Sequence, residues 1–122
     1  MMHTPLIARD LDTGVVIADH VSVADSRITR AVGLLSRHRL NPGEALWITP
    51  CHGVHTWGMR FTIDVVALDA DGTVVDVVPA LRPWRVRFPR PGGLSVLELP
   101  EGTLRASRIS VGHRIALQPA TA

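Results

Sequence analysis

The sequence of 122 residues contains no lysine and no tyrosine, and it has a single cysteine. One cysteine excludes an intrachain disulfide and fits a reducing compartment. Every uninterrupted apolar run is too short to cross a bilayer. The first residues lack a basic region followed by a long apolar stretch, so no secretory signal is predicted. We therefore expect a cytoplasmic protein without a membrane anchor.

The missing lysine and tyrosine also explain an unusual charge balance. Thirteen arginines face eleven acidic residues, which gives a formal charge of +2, yet the isoelectric point is about 9.9. Few groups titrate between neutral pH and the pKa of arginine. The high isoelectric point therefore reflects the absence of lysine and tyrosine and not a strongly basic surface. Composition alone therefore gives little support for generic nucleic-acid binding.

The remaining composition predicts one globular domain spanning residues 1–122. Hydrophobic residues make up 46% of the chain, with ten glycines and nine prolines, which is typical of short strands joined by many turns. A hairpin is predicted from Phe61–Asp69 and Thr73–Val78 across Asp71-Gly72. We predict a mainly β fold, an antiparallel sandwich or distorted barrel with one amphipathic helix at about residues 27–39.

Several blocks of sequence carry a resemblance to a known family. They are Arg30-Ala-Val-Gly-Leu-Leu35, Pro50-Cys-His-Gly-Val-His-Thr-Trp-Gly-Met59, Phe61-Thr-Ile-Asp-Val-Val-Ala-Leu-Asp69, Leu81-Arg-Pro-Trp84, Val96-Leu-Glu-Leu-Pro-Glu-Gly102 and Ile109-Ser-Val-Gly-His-Arg-Ile115. In this order they resemble the domain-of-unknown-function 192 family over roughly residues 13–117. The resemblance implies a compact, mostly β domain and no established activity. His113 stands where the family more often has an acidic residue.

The densest set of soft donors lies in one irregular segment and comprises Cys51, His52, His55 and Met59. Thiolate, imidazole and thioether together favour Cu(I), or Zn(II) without the methionine. Cysteine and methionine are also common fillers of a protein core. We favour this structural interpretation and predict no metal and no cofactor.

A thiol-enzyme interpretation uses Cys51 as nucleophile, His55 as base and Asp64 as the group that orients the base. Asp64 lies in a strand that is apolar on both faces, so its carboxylate needs hydrogen-bond donors. The favoured alternative is that Asp64 accepts hydrogen bonds from backbone N–H groups of residues 50–58 or from His55. On this interpretation none of the three residues is catalytic.

Arginines and aromatic residues alternate in the segment 82–93, which is predicted to be a loop because of its prolines and glycines. Its members are Arg82, Trp84, Arg85, Arg87, Phe88 and Arg90. Guanidinium groups beside aromatic faces can bind carboxylates, phosphates or stacked bases. The alternative is a solvated loop in which arginine stems cover apolar surface.

These observations favour a binding module with a pocket near the Cys51–Met59 loop and Asp64, which would bind an unidentified small ligand or peptide. The predicted ligand-binding residues are His55, Trp57, Met59, Asp64, Arg85 and Arg87. Two other classes stay open: a thiol- or metal-dependent enzyme, and a structural domain that pairs with a partner through a sheet edge. No membrane or nucleic-acid partner is predicted. The sequence does not determine the oligomeric state.

Overall fold

The computed structural model describes residues 6–24, 39–51, 53–57, 59–88 and 91–120. Nine strands and one short helix lie within these ranges: β1 (Leu6–Asp10), β2 (Val16–Ala24), β3 (Glu44–Ile48), β4 (Val54–His55), β5 (Ile63–Leu68), β6 (Val74–Leu81), β7 (Val86–Arg87), β8 (Ser95–Pro100), α1 (Thr103–Ser107) and β9 (Ile115–Pro119). The amphipathic helix predicted at about 27–39 falls almost entirely outside the described residues. Within them, no helix has both the length and the apolar character needed to span a bilayer.

Seven of the strands form one sheet in the order β6-β5-β8-β3-β2-β1-β9, and β4 pairs with β7 in a separate ribbon. Neighbours in the large sheet are antiparallel apart from β2 and β3, which are parallel. The predicted mainly β class is confirmed. The predicted hairpin is confirmed as well, since β5 pairs antiparallel with β6.

The large sheet is curled so that its two edge strands meet at one end. Thr73, just before β6, forms a bridge with Arg114, just before β9. The N–H of Val74 donates to the carbonyl of His113 at 2.8 Å, and the N–H of Gly112 donates back to the carbonyl of Val74 at 2.8 Å. The result is a half-barrel whose edges are joined at this corner.

Gly72, in the turn between β5 and β6, is required there for two separate reasons. Its φ of 83° lies in the left-handed region, which costs glycine little and other residues more. A Cβ atom added there would lie 2.5 Å from the carbonyl oxygen of Ile115. The Asp-Gly turn therefore serves both the hairpin and the corner where the sheet closes.

Both faces of the sheet are covered by buried aliphatic side chains, so the sheet separates two core clusters. Val66 and Leu68 of β5 pack in one cluster with Leu104 of α1; we call this side the α1 face. Val65 and Ala67 belong to the other cluster, which we call the loop face. This division follows from the alternation of side chains along a strand.

Candidate functional site

The loop face is covered by two irregular segments, residues 50–59 and 82–88, which we call the loop cap. The ribbon of β4 and β7 joins them, with Val54 opposite Arg87 and His55 opposite Val86. Both segments were expected to be irregular, and the two-residue strands were not predicted. Pairing so short forms only because the flanking backbone is held in place by other contacts.

Thr56 provides those contacts. It is completely buried. Its hydroxyl donates to the carbonyl of Arg82 at 2.5 Å and accepts from the N–H of Arg85 at 2.9 Å. Its own N–H donates to the carbonyl of Arg85, and its carbonyl accepts from Trp84 and Met59. One threonine thus satisfies the polar backbone groups of both segments, and sequence analysis missed it because its partners lie 26 and 29 positions away.

The two sides of the ribbon face different environments. Val54 is 3% exposed and packs in the core of the loop face. Its partner Arg87 reaches Asp76 of β6, with Nη2 3.4 Å from Oδ2, and the Asp76 side chain is 8% exposed. The other cross-strand pair, His55 and Val86, is exposed on the outer side. The ribbon therefore has an inner side fixed to the sheet and an outer side that faces solvent.

The outer surface of the loop cap displays large apolar side chains. Trp57 is 56% exposed, Trp84 65%, Val86 49% and Phe88 75%. The whole chain has only three tryptophans and two phenylalanines, so three of its five aromatic residues lie on this surface. The rings of His55 and Trp57 are 6.2 Å apart and tilted. A folded domain normally buries such side chains, so their exposure on one surface is unusual.

Trp84 is held in a backbone conformation that residues with a side chain rarely adopt. Its φ is 63°, which costs a non-glycine residue roughly 1–3 kcal/mol. The N–H of Trp84 donates to the carbonyl of Thr56 at 3.0 Å, and this bond helps to hold the conformation. The fold therefore keeps a strained residue whose indole is left mostly in water.

The charge of the loop cap is of one sign. Residues 50–59 and 82–88 contain three arginines, two histidines and no acidic residue, while all eleven acidic residues lie elsewhere in the chain. Arg82 and Arg85 are exposed. Arg85 makes a 3.4 Å hydrogen bond within its own segment, to the carbonyl of Pro83. The small net charge of the protein therefore conceals a cationic loop cap.

The structure divides the predicted ligand-binding residues into two groups. His55, Trp57, Arg85 and Arg87 are exposed on the loop cap, although Arg87 is paired with Asp76. By contrast, Met59 is 3% and Asp64 2% exposed. A pocket walled by Trp57 and Met59 with Asp64 as a polar group is therefore not what the structure forms. Met59 packs in the core because the loop cap needs an apolar side chain to cover the loop face.

Asp64 is fully engaged on the opposite side of the sheet. Its Oδ1 accepts from the N–H of Ala80 at 2.9 Å, and its Oδ2 accepts from Gly102 at 3.1 Å and Leu104 at 2.9 Å. The expectation of backbone N–H donors was right, but their predicted location in residues 50–58 was wrong. Asp64 alternates with residues of the loop face along β5, so it points to the α1 face and satisfies donors at the start of α1.

The described members of the predicted thiol and metal sets lie in different environments. The Cys51 thiol donates to the carbonyl of Gly53 at 3.0 Å and is partly buried. His55 is exposed, Met59 is in the core, and Asp64 faces the other side of the sheet. His52 and Arg90 lie outside the described residues.

One cluster of titratable groups lies where sequence analysis predicted none. Nδ1 of His113 is 2.8 Å from Oδ2 of Asp10, which is completely buried, and Asp12 lies close enough for all three to face one point. Burial acts to raise the pKa of Asp10, but hydrogen bonds from His113 and the Asp12 N–H outweigh it, so the pKa lies below its usual value. More than a hundred residues separate the partners, and only the pairing of β1 with β9 brings them together.

The chain matches a protein-family model over residues 10–117, which is nearly the whole described domain. The chain therefore belongs to the DUF192 family, described as "Uncharacterized ACR". A UPF0127 protein of Pyrococcus abyssi is 39% identical over 101 residues, covering 78% of this chain and 83% of that protein. A UPF0127 protein of Pyrococcus horikoshii is 35% identical over 101 residues, covering 78% and 84%.

Solved structures share the fold. A putative transcription regulator of Sinorhizobium meliloti superposes with a TM-score of 0.76 at 19% identity, covering 96% of this chain and 98% of that one. A protein of unknown function from Novosphingobium aromaticivorans gives a TM-score of 0.77 at 18% identity, covering 92% and 83%. Identities this low establish the common fold and say nothing of a common activity.

Proposed function

We propose that this protein is a binding module that recognises anionic ligands, small molecules or peptides, through the outer surface of the loop cap. The observation that carries the proposal is the placement of three of the five aromatic residues, exposed, on a surface whose two segments contain no acidic residue. His55, Trp57 and Arg85 keep the ligand-binding role predicted for them. Trp84 and Phe88 join them.

The chemistry of this surface suits an anion attached to an apolar group. The planar guanidinium groups of Arg82 and Arg85 can donate paired hydrogen bonds to a carboxylate or phosphate. Exposed rings such as those of Trp84 and Phe88 supply apolar area, and burying that area against a ligand is favourable. Because Thr56 fixes both segments before binding, little ordering is left for the ligand to impose.

A titration with inorganic tripolyphosphate, followed by NMR, tests the anion site. We expect the indole N–H signals of Trp57 and Trp84 and the side-chain N–H signals of Arg82 and Arg85 to shift in a saturable, salt-sensitive way. Trp47 lies in β3, packed against the α1-face core, so its signal is an internal control. Arg85→Ala should weaken binding roughly fivefold, the scale of one partly exposed charged contact.

Arg105→Ala is the matched control, because Arg105 is an exposed arginine on α1. It should leave the affinity within about twofold, since it is remote from the loop cap. Equal losses in the two variants would show general charge attraction and contradict a defined site. An absence of shifts in Trp57 and Trp84 at saturating tripolyphosphate would also reject the proposal.

A further inference from the structure

We infer that the anionic ligand of the loop cap is the surface of a lipid bilayer, and that this cap docks the domain on membranes containing anionic phospholipids. The inference rests on the anion binding proposed above and takes the small anionic ligand to be the headgroup of a phospholipid in a bilayer. It starts from two properties of the same surface, which are exposed apolar side chains and two exposed arginines, Arg82 and Arg85, in segments that contain no acidic residue.

The direction of the apolar side chains follows from the ribbon. Arg87 points inward to Asp76, and neighbouring residues of a strand point to opposite sides. Val86 is therefore on the outer side, as its 49% exposure agrees. Phe88, next along the chain, is 75% exposed, and its ring is the first group that a Cβ on Gly53 would meet, at 3.0 Å. Val86 and Phe88 are therefore exposed on the outer side of the loop cap, with the Phe88 ring against Gly53.

A surface that carries aromatic and aliphatic side chains, here Trp84, Val86 and Phe88, suits the boundary between lipid headgroups and acyl chains. Tryptophan and phenylalanine are favourable in that layer, and an aliphatic side chain gains as well because it leaves water. Arg82 and Arg85 are exposed in the same segment as Trp84 and Val86, so their long side chains can reach the lipid phosphates. Each cation near an anionic surface strengthens binding by about fivefold.

Two other classes of macromolecule fit the same surface less well. A single strand of nucleic acid would stack its bases on the rings, but Val86 offers no ring for stacking and would contribute only its apolar area. An extended peptide that pairs with the free side of β7 would find a strand of two residues, too short for a stable ladder of main-chain hydrogen bonds. A bilayer uses the rings, Val86 and the arginines together.

The test measures sedimentation of the whole protein with large vesicles of phosphatidylcholine alone or of equal parts phosphatidylcholine and phosphatidylglycerol. We expect binding to the anionic vesicles, a blue shift of tryptophan emission, and release in 0.5 M salt. Phe88→Ala and Arg85→Glu should each weaken binding about tenfold. Their matched controls, Leu11→Ala at another exposed apolar site and Arg105→Glu on α1, should stay within twofold.

Each other outcome overturns the inference in a distinct way. Equal binding to neutral vesicles would show that the anionic headgroup is not required. Equal losses in the control variants would show that the loop cap is not the binding surface. Failure to bind either vesicle while tripolyphosphate still shifts Trp57 and Trp84 would reject the membrane and leave the proposed function standing. Saturable binding of an oligothymidylate without vesicle binding would assign the surface to single-stranded nucleic acid instead. Failure with every probe would reject both proposals.

Discussion

The two faces of the sheet solve the same structural problem with different residues. On the α1 face, the carboxylate of Asp64 accepts three backbone N–H bonds and holds Ala80 together with the start of α1. On the loop face, the hydroxyl of Thr56 both donates and accepts, and it holds the loop of Arg82 and Arg85. In each case one buried polar side chain organises backbone that has no regular partner.

The difference lies in what the organised backbone then does. Asp64 draws α1 onto the sheet, and Leu104 is buried there. Thr56 instead holds a loop whose apolar side chains stay in water. A buried anchor therefore does not identify a core element by itself. The neighbouring apolar side chains make the distinction. Where they are buried, the organised backbone is part of the core, and where they are exposed, it forms a surface.

Loss of the Asp64 carboxylate should have the largest effect on stability. Asp64→Ala leaves three backbone donors near Ala80, Gly102 and Leu104 without their acceptor, and we expect a loss of about 3 kcal/mol or more in the free energy of unfolding. Denaturant unfolding measures it, with the exposed Asp19→Ala as control. A neutral Asp64→Ala would show that the α1 face does not depend on this carboxylate.

Thr56→Val should have the next largest effect and should act on the opposite face. It keeps the shape of the side chain and removes both hydroxyl hydrogen bonds, so we expect a loss of about 2 kcal/mol. Amide exchange should rise in residues 82–88 and stay unchanged in α1. Thr56→Ser restores the hydroxyl and should recover most of the protection. Uniformly faster exchange on both faces would contradict separate anchors.

Asp10 should give a smaller, pH-dependent effect. Its pKa is lowered in the folded protein by its bonds with His113 and Asp12, against the opposing effect of burial. The ionised carboxylate therefore stabilises the fold fully above the pKa of the unfolded chain, and this is lost as pH falls through the lower folded pKa. Asp10→Asn should flatten that acid limb of a stability–pH curve, whereas the exposed Asp19→Asn should not.

The smallest expected effect is a difference in stability between two arginine variants of the loop cap. Arg87→Ala removes a charged partner from the buried Asp76 and should cost about 1 kcal/mol or less, because the Arg87 side chain is 47% exposed. Arg85→Ala should leave the melting temperature unchanged, since the Arg85 side chain is exposed and its guanidinium bonds the carbonyl of Pro83 in its own segment. Equal melting temperatures for both variants would contradict the assignment of an inner and an outer side to the ribbon.

Much of the fold could be predicted because it depends on local sequence. Asp71-Gly72 defines the β5–β6 hairpin, and β-branched runs define strands such as β2. By contrast, the parallel pairing of β2 with β3 and the closing of the sheet at Arg114 join distant segments, and no local pattern specifies them.

The site was predictable in part for the same reason. Alternation along β5 places Asp64 opposite Val65, but both faces are apolar, so the pattern cannot say which of them the loop cap covers. The rings and arginines of segment 82–93 were noticed as a group. Thr56 joins them to the segment that contains Cys51, through hydrogen bonds that span 26 and 29 residues. Sequence spacing does not reveal such contacts.

The position of β1 has a consequence for the order of folding during synthesis. β1 lies between β2 and β9, paired with the first across a short turn and with the second through Leu6 to Asp10. A growing chain can form the β1–β2 hairpin early, yet the other edge of β1 stays open until β9 has left the ribosome. Such a long-range contact slows folding. Throughout that interval the open edge of β1 can pair with another nascent chain, which makes it the first place to look for misassembly.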